Sequence, residues 1–347
     1  VSAATADQVK EARWEAEDTS IAEVGAALDR LQHGGVGDDR QHAAARSLNL
    51  IVAPGPAGER ATEVERELER AALRHSWRTI ELKMHNTPRL DAMIRLTFSP
   101  MDETGNLGIY HDRITLTTDR TRLEHADALL LPLMVSSVDT VMWLPSGKFG
   151  LIDARIARLA HHLVLDTAQD FDPRRALRRA AYAQQHIAVH DVTWGRLSWW
   201  RARIAAAFDD EANCALLDTF TGLEIDFTGS AAVPLLLVGW VGARLGLRID
   251  ELWPARAHWT GRYGDGEGRR VDIDLRHKPA ESGYGGIERV SFVDPSKRID
   301  LERGGVSDRQ RDLVPEALQP LEFFARGYRA SLNALNEQLE TTWQITA

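Results

Sequence analysis

Leu48-Asn-Leu-Ile-Val52, then Pro54-Gly55-Pro56, a charged run from about Thr62 to His75, and Thr79–Met84 make up the stretch whose order decides the fold. Leu48–Val52 reads as a short buried strand. It breaks at Pro-Gly-Pro, because proline lacks an amide donor and fixes φ. The charged run predicts a helix, and Thr79–Met84 the next strand. Strands alternating with helices imply an α/β layer arrangement. Further strands are expected at Met93–Ser99 and Arg113–Thr118, where short connections imply some antiparallel pairs. In the first of these, Ile94, Leu96 and Phe98 share one face while Arg95 and Thr97 point away.

The pattern extends both ways. Ser20-Ile-Ala-Glu23 is a capping box, after which Ile21, Val24, Leu28 and Leu31 recur at helical spacing until Gly34-Gly35. Residues 1–18 are expected to be a flexible lead-in. Downstream, a helix from about His125 to Ser136 precedes a strand at Thr140–Leu144, and Ala154–His162 reads as helical. The arginine-rich Asp170–Gln185 is also helical, and the domain boundary falls beside it. The expectation is an N-terminal α/β domain over 19–168 and a C-terminal one over 169–347.

In the second half, a strand at Leu223–Phe227 runs to Ser230, an N-cap for an apolar helix that Gly246 ends. Trp259–Tyr263 and Arg270–Leu275 flank Gly264-Asp-Gly-Glu-Gly268, a hairpin turn by composition. Strands at Ile287–Val293 and Arg298–Leu301 and helices from Pro315 complete the chain. The fold class is mixed α/β (α+β), with two units, each a mixed sheet flanked by helices. Strand, helix, then several strands recur in both halves, a faint hint of duplication.

At 347 residues the chain exceeds one ordinary core, and 44% hydrophobic with 27% charged residues fits a soluble globular protein. A net charge of -9 argues against nucleic acid or an anionic membrane as the main partner. The longest uncharged stretch, Phe227–Ala243, falls short of the roughly 20 apolar residues of a membrane span. Charges run through the first twenty residues, so no secretory signal is expected. Cys214 is the single cysteine, which leaves no disulfide within the chain and fits a reducing cytoplasm. Beside Ala and Leu, it reads as a buried small apolar residue.

Enzymatic signatures fail on inspection. Gly147-Lys148 resembles the end of a phosphate loop, but Met142 and Phe149 stand where a glycine and a Ser/Thr are required. No Gly-x-Ser-x-Gly elbow occurs. His186 and His190 have the spacing of a zinc-binding helix pair, yet Ile187 replaces the glutamate base, so no metal site is assigned. His161 and His162 are expected to point apart on a helix. Glu224 with Asp226, and Asp272 with Asp274, alternate on strands and share faces, which could serve glycoside hydrolysis or be solvated charge. The glycine-rich turn links two strands and is no dinucleotide fingerprint. No catalytic residue and no cofactor is assigned.

Binding chemistry is more visible. Thr193-Trp-Gly-Arg-Leu-Ser-Trp-Trp-Arg201 packs three indoles and two guanidiniums into nine residues. Both types are enriched at interface hot spots. Trp200 is in phase with Ile204 and Phe208 and is expected in the core. Trp194, Trp199 and Arg196 serve either an interface or the structure. Arg174, Arg175, Arg178 and Arg179 form a basic stripe that could hold a phosphate or acidic partner, or be a solvated helix face.

The segment 193–201 resembles the Thr-Trp-x-Arg-Leu-x-x-Trp-Arg signature of the OpcA family, the glucose-6-phosphate dehydrogenase assembly proteins. Ser230–Gly246 is similar to that family's apolar helix ending in Gly-Trp-x-x-x-Arg-Leu-Gly. Leu131-Pro-Leu133 followed by Asp139-Thr-Val-Met-Trp-Leu-Pro145 is the third shared element, and the resemblance spans roughly residues 20–300. It implies a non-catalytic, cytoplasmic partner of glucose-6-phosphate dehydrogenase, acting in its assembly and allosteric activation in the oxidative pentose phosphate pathway. The resemblance makes Trp194, Arg196, Trp199 and Arg201 candidate contacts or supports of the contact surface, with Arg174 and Arg178 of the basic stripe as further candidates. Ile109-Tyr-His-Asp112 stands where redox-controlled relatives carry cysteine, so a switch by disulfide within one chain is not expected. The competing reading is a sugar-phosphate-binding or lactone-processing enzyme of the same pathway.

Overall fold

In the computed structural model, the stretch from Leu48 to Met84 forms a parallel βαβ unit. The structure describes residues 10–34, 46–53, 59–73, 75–100, 108–145, 155–255, 258–279, 285–303 and 327–335. The break at Pro54-Gly55-Pro56, the Gly147-Lys148 pair and the helix start at Pro315 lie outside these residues. The chain divides into two units, Val1–Leu165 and Asp166–Ala347.

The first unit runs β1 (Lys10–Ala16), α1 (Ile21–Gly34), β2 (Leu48–Val52), α2 (Glu59–Ala72), β3 (Trp77–Met84), β4 (Asp91–Pro100) and β5 (Gly108–Thr118). Short helices α3 (Arg120–Leu123) and α4 (Ala126–Leu130) then precede β6 (Asp139–Leu144) and β7 (His162–Leu165). Its described strands lie in the order β1-β4-β5-β3-β2-β6-β7. Pairing from β5 through β7 is parallel, while β4 is antiparallel to both β1 and β5. The capping box closes as the sequence predicts: Ser20 N donates to Glu23 Oε2 at 2.9 Å and Glu23 N to Ser20 Oγ at 3.3 Å.

Three expectations for this half need correction. Residues 10–16, assigned to a flexible lead-in, form an edge strand paired with β4, because Trp14 and its neighbours find a ladder that no local signal advertises. The helix expected over His125–Ser136 is two short pieces, with a tight turn at Leu131–Leu133 where Pro132 removes an amide. His162 does not continue a helix but opens β7, whose Leu163, Val164 and Leu165 are buried. A four-residue apolar strand cannot be told from a helix end by periodicity.

The interior of this unit is unusually polar. Asp112 accepts from Arg46 Nε and from both Arg78 Nε and Nη2 within 2.9–3.1 Å, and Arg113 bridges Glu65 and Glu81. Beside them, burial pushes His111 down to about 4, so its ring is neutral between Thr79 and the His75 carbonyl.

The second unit continues with α5 (Pro173–Ala183), β8 (Ala188–Asp191), α6 (Val192–Arg196), α7 (Ser198–Ala207), α8 (Glu211–Cys214), α9 (Leu216–Thr219), β9 (Gly222–Phe227) and α10 (Ala232–Leu245). Then follow β10 (Arg248–Ala255), β11 (His258–Gly264), β12 (Arg270–His277), β13 (Ile287–Val293), β14 (Arg298–Glu302) and a helix over 327–335, here α11. Six strands order as β10-β11-β12-β9-β13-β14. Among the described strands of this sheet, only the β12–β9 pair is parallel. The predicted hairpin forms, with Gly266 and Gly268 at φ 82° and 113°. Gly246 ends α10 at φ 68°.

Buried Leu235, Leu236, Leu237, Val238 and Val241 make α10 the core of this unit, and α5 and α6 pack against it. Strand β10 escapes sequence reading because Asp250, Glu251 and Pro254 break its apolar pattern. Cys214 is exposed, not buried: it ends a one-turn helix capped by Asp210, and the chain re-enters the core beyond it at Leu216 and Phe220. Among the described residues, no helix is long and apolar enough to cross a membrane.

Candidate partner-binding site

The nine-residue Trp-Arg segment spans α6 and the start of α7, and two buried aspartates fix it. Asp191, the last residue of β8, caps α6 by accepting from Thr193 N at 2.9 Å. It also accepts from Thr167 N (3.1 Å), Thr167 Oγ1 (2.7 Å) and Tyr328 Oη (2.9 Å). Asp166 takes a bidentate pair from Arg196 Nη1 and Nη2 at 2.9 and 2.8 Å, with Thr193 Oγ1 at 2.6 Å and Gln169 Nε2 at 3.1 Å. Thr193 therefore joins the two carboxylates: its amide serves one and its hydroxyl the other.

Environment separates the two acids. Burial, reinforced by the negative charge of Asp166, pushes Asp191 up to about 6. Burial also works to raise Asp166, but the Arg196 charge and its hydrogen bonds outweigh it and hold that carboxyl below the ordinary range. Asp166 is thus the ionised member of the pair and anchors Arg196, whose side chain remains one-third exposed.

The indoles divide between interior and surface. Trp194, read as serving either an interface or the structure, is interior, at 5% exposure. Its ring meets Tyr328 of α11 at 5.7 Å between centroids, and a Cβ on Gly327 would come within 3.2 Å of it. The Arg201 guanidinium covers the ring at 3.8 Å and its Nη1 donates to the Trp194 carbonyl at 2.7 Å. Burial and nearby Arg244 lower Arg201 to about 10. Trp194 thus packs between α11 and the Arg201 guanidinium. Trp200 is in the core, as its phase predicts. Trp199 is half-buried, edge-on to Trp200 at 4.9 Å, with Arg203 above it at 5.2 Å.

Of the basic stripe on α5, Arg174 and Arg178 are half-exposed. Arg174 stacks on Trp259 at 4.9 Å, and Arg179 pairs with Asp170 at 3.2 Å. The segment therefore brings Arg196 and Trp199 to the surface, while Arg174 and Arg178 reach it on a separate helix.

The other sequence candidates fall away on geometry. His186 follows the end of α5 and His190 lies in β8, so the pair never shares a helix face. Among the described residues no cluster of His, Cys, Asp or Glu could hold a metal ion. Glu224 and Asp226 do share a sheet face, but guanidiniums occupy them: Arg276 at 2.6 and 2.8 Å, Arg298 on Glu224 at 2.8 Å, Arg289 on Asp226 at 2.8 Å. Hydrogen bonding to Arg298, above all, holds Glu224 below its ordinary range, so it cannot carry a proton as a general acid. A polar depression of about 440 Å³ beside them is lined by Asp226, Glu288, Arg289, Glu302 and Arg303.

Asp166, Asp191 and Tyr328 were not singled out from sequence. Asp191 was within reach, as an N-cap residue directly before Val192-Thr193. Tyr328 lies 137 positions away, and nothing local couples it to Asp191.

Residues 68–182 match the family model described as the glucose-6-phosphate dehydrogenase subunit N-terminal domain, and residues 187–344 match the corresponding C-terminal domain. No curated protein sequence matches the chain. Among solved structures, a biliverdin reductase from Synechocystis, in complex with biliverdin and NADP+, aligns at 11% identity and TM-score 0.38, over 84% of this chain and 97% of that one. An oxidoreductase from Sinorhizobium meliloti aligns at 10% identity and TM-score 0.41, over 84% and 90%.

Proposed function

The chain belongs to the OpcA family of glucose-6-phosphate dehydrogenase subunits, and on that premise we propose that it is a non-catalytic assembly factor and allosteric activator of the dehydrogenase. It works in the cytoplasm by protein–protein binding, at the entry of the oxidative pentose phosphate pathway. The observation that carries this reading is the match of both halves to the two domains of one dehydrogenase-subunit family.

Local geometry supports it. Asp166 and Asp191 hold α6 rigidly, and rigidity lowers the ordering cost of binding. Arg196 and Trp199 present a guanidinium edge and an indole at the surface, the pair of groups that interface centres favour. Arg174 and Arg178 extend the contact. Trp194 and Arg201 act beneath it.

Activation follows if the chain binds one state of the dehydrogenase more tightly than another and shifts its population. A tenfold lower apparent KM requires about 1.4 kcal/mol of differential binding. Titrating the chain into purified dehydrogenase at limiting glucose 6-phosphate is expected to raise the rate to a plateau, with no turnover by the chain alone. A flat titration sinks the proposal. Turnover of a sugar phosphate or its lactone by the chain alone establishes the enzymatic alternative instead.

A further inference from the structure

Helix α5 buries one face and offers the other. Ala176, Leu177, Ala180 and Ala183 are buried against α10. On the opposite side, at spacings of three and four, stand Arg175, Arg178 and Tyr182. Tyr182 is 63% exposed and meets His186 edge-on at 5.0 Å. Just before the helix, Phe171 is fully exposed, at 101%.

Phe171 is not loose. Asp170 Oδ1 accepts from Asp172 N at 3.1 Å, and Asp170 Oδ2 from Arg179 Nη1 at 3.2 Å. Asp172 in turn caps α5 by accepting from Arg174 N and Arg175 N at 3.0 and 3.2 Å. The backbone on both sides of the ring is thus pinned, so only the ring's own side-chain freedom remains to be lost when a partner covers it. Folding gains nothing from such a placement, whereas a partner with an apolar pocket does.

Charge identifies the partner's chemistry. Asp170 and Asp172 are engaged by Arg179 and by the helix N-terminus, while the outward face of Pro173–Ala183 carries the guanidiniums of Arg175 and Arg178 and no carboxylate, in a chain whose net charge is -9. An acidic surface would be repelled by the molecule at large and drawn to this ridge, which fixes orientation as well as rate.

We propose that the ridge Phe171–Arg175–Arg178–Tyr182 is the docking surface for an acidic face of the dehydrogenase, one that carries an apolar pocket for Phe171. This rests on the reading of the chain as a dehydrogenase partner, and it adds the surface used and the chemistry it meets. Over about 11 residues the ridge is roughly 15 Å long, enough for the centre of a contact.

The test compares wild type, the double variant F171S/R175E and the control R270E, which places a charge reversal on exposed Arg270 of β12. Dissociation constants for the dehydrogenase are measured by titration calorimetry at two salt concentrations. All three proteins are expected to melt alike. Wild type and R270E should bind within twofold of each other and more weakly at high salt, and the double variant at least thirtyfold more weakly than wild type. Unchanged binding by the double variant, with wild-type binding intact, overturns the ridge but leaves the parent reading standing. Equal losses in R270E and the double variant also overturn it, since bulk charge then explains both. Saturable binding of a dT20 oligonucleotide that the double variant loses overturns it in favour of nucleic acid. Failure of wild type to bind at all overturns the parent reading, and this one with it.

Discussion

The Arg201 guanidinium lies 3.8 Å above the ring of Trp194, and its Nη1 donates to the carbonyl of that same residue. A cation that covers an indole and also ties down its backbone turns Trp194 inward and makes it a floor for α11. Trp194→Ala is therefore expected to cost about 3–5 kcal/mol in urea unfolding, and Trp200→Ala a similar amount. Trp199→Ala should cost well under half of that. Equal costs at positions 194 and 199 would contradict this division between interior and surface.

Arg196 carries a different expectation. Arg196→Ala leaves Asp166 charged and buried without its bidentate partner, a loss of about 2–3 kcal/mol. In the Asp166→Asn background the same change should cost about 1 kcal/mol, because no charge is stranded. A double-mutant cycle showing no coupling between the two residues would refute the assigned pairing.

The buried aspartates give a pH signature. Asp191 is raised to about 6 in the folded chain from an ordinary 3.8. The folded state therefore holds this proton when the unfolded state has lost it. Its contribution to stability is complete below the ordinary aspartate range and is lost as pH rises toward about 6. His111, lowered to about 4, acts in the opposite sense: its contribution is present above 6.5 and lost as pH falls toward 4. The two overlap, so each needs its own variant. Stability of wild type minus that of Asp191→Asn, from urea midpoints at pH 4, 5, 6 and 7, should fall across the series and level off near 6. A difference independent of pH would contradict the assignment.

Gly239 tests how α11 is held. A Cβ at this position would lie 2.5 Å from the Ser331 carbonyl oxygen, while Ser331 Oγ donates to the Leu236 carbonyl at 2.7 Å. Gly239→Ala should lift α11 at a cost of about 1–3 kcal/mol. Hydrogen exchange of amides 327–335 is expected to accelerate while β9 amides, in the sheet interior, stay protected. Unchanged exchange at 327–335 would show that the close approach does not govern docking.

The legible parts of this molecule are those whose signals are local. The capping box, the Leu48–Val52 strand, the hairpin around Gly266 and the apolar helix ending at Gly246 each advertise themselves within a few residues. Strands β1, β7 and β10 do not, because edge position, shortness or interleaved charge erases the period of two. The phase of Trp200 revealed its burial. That of Trp194 could not, since its cover comes from Tyr328 and Gly327, more than a hundred residues on. The arginine stripe was visible on α5, but the exposure of Phe171 depends on hydrogen bonds accepted by Asp170 that composition does not encode.

Sedimentation of the chain mixed with purified glucose-6-phosphate dehydrogenase reads their association itself. A single boundary heavier than either protein alone is expected for wild type, much reduced for F171S/R175E. Two independent boundaries at concentrations well above those of a working complex would contradict it.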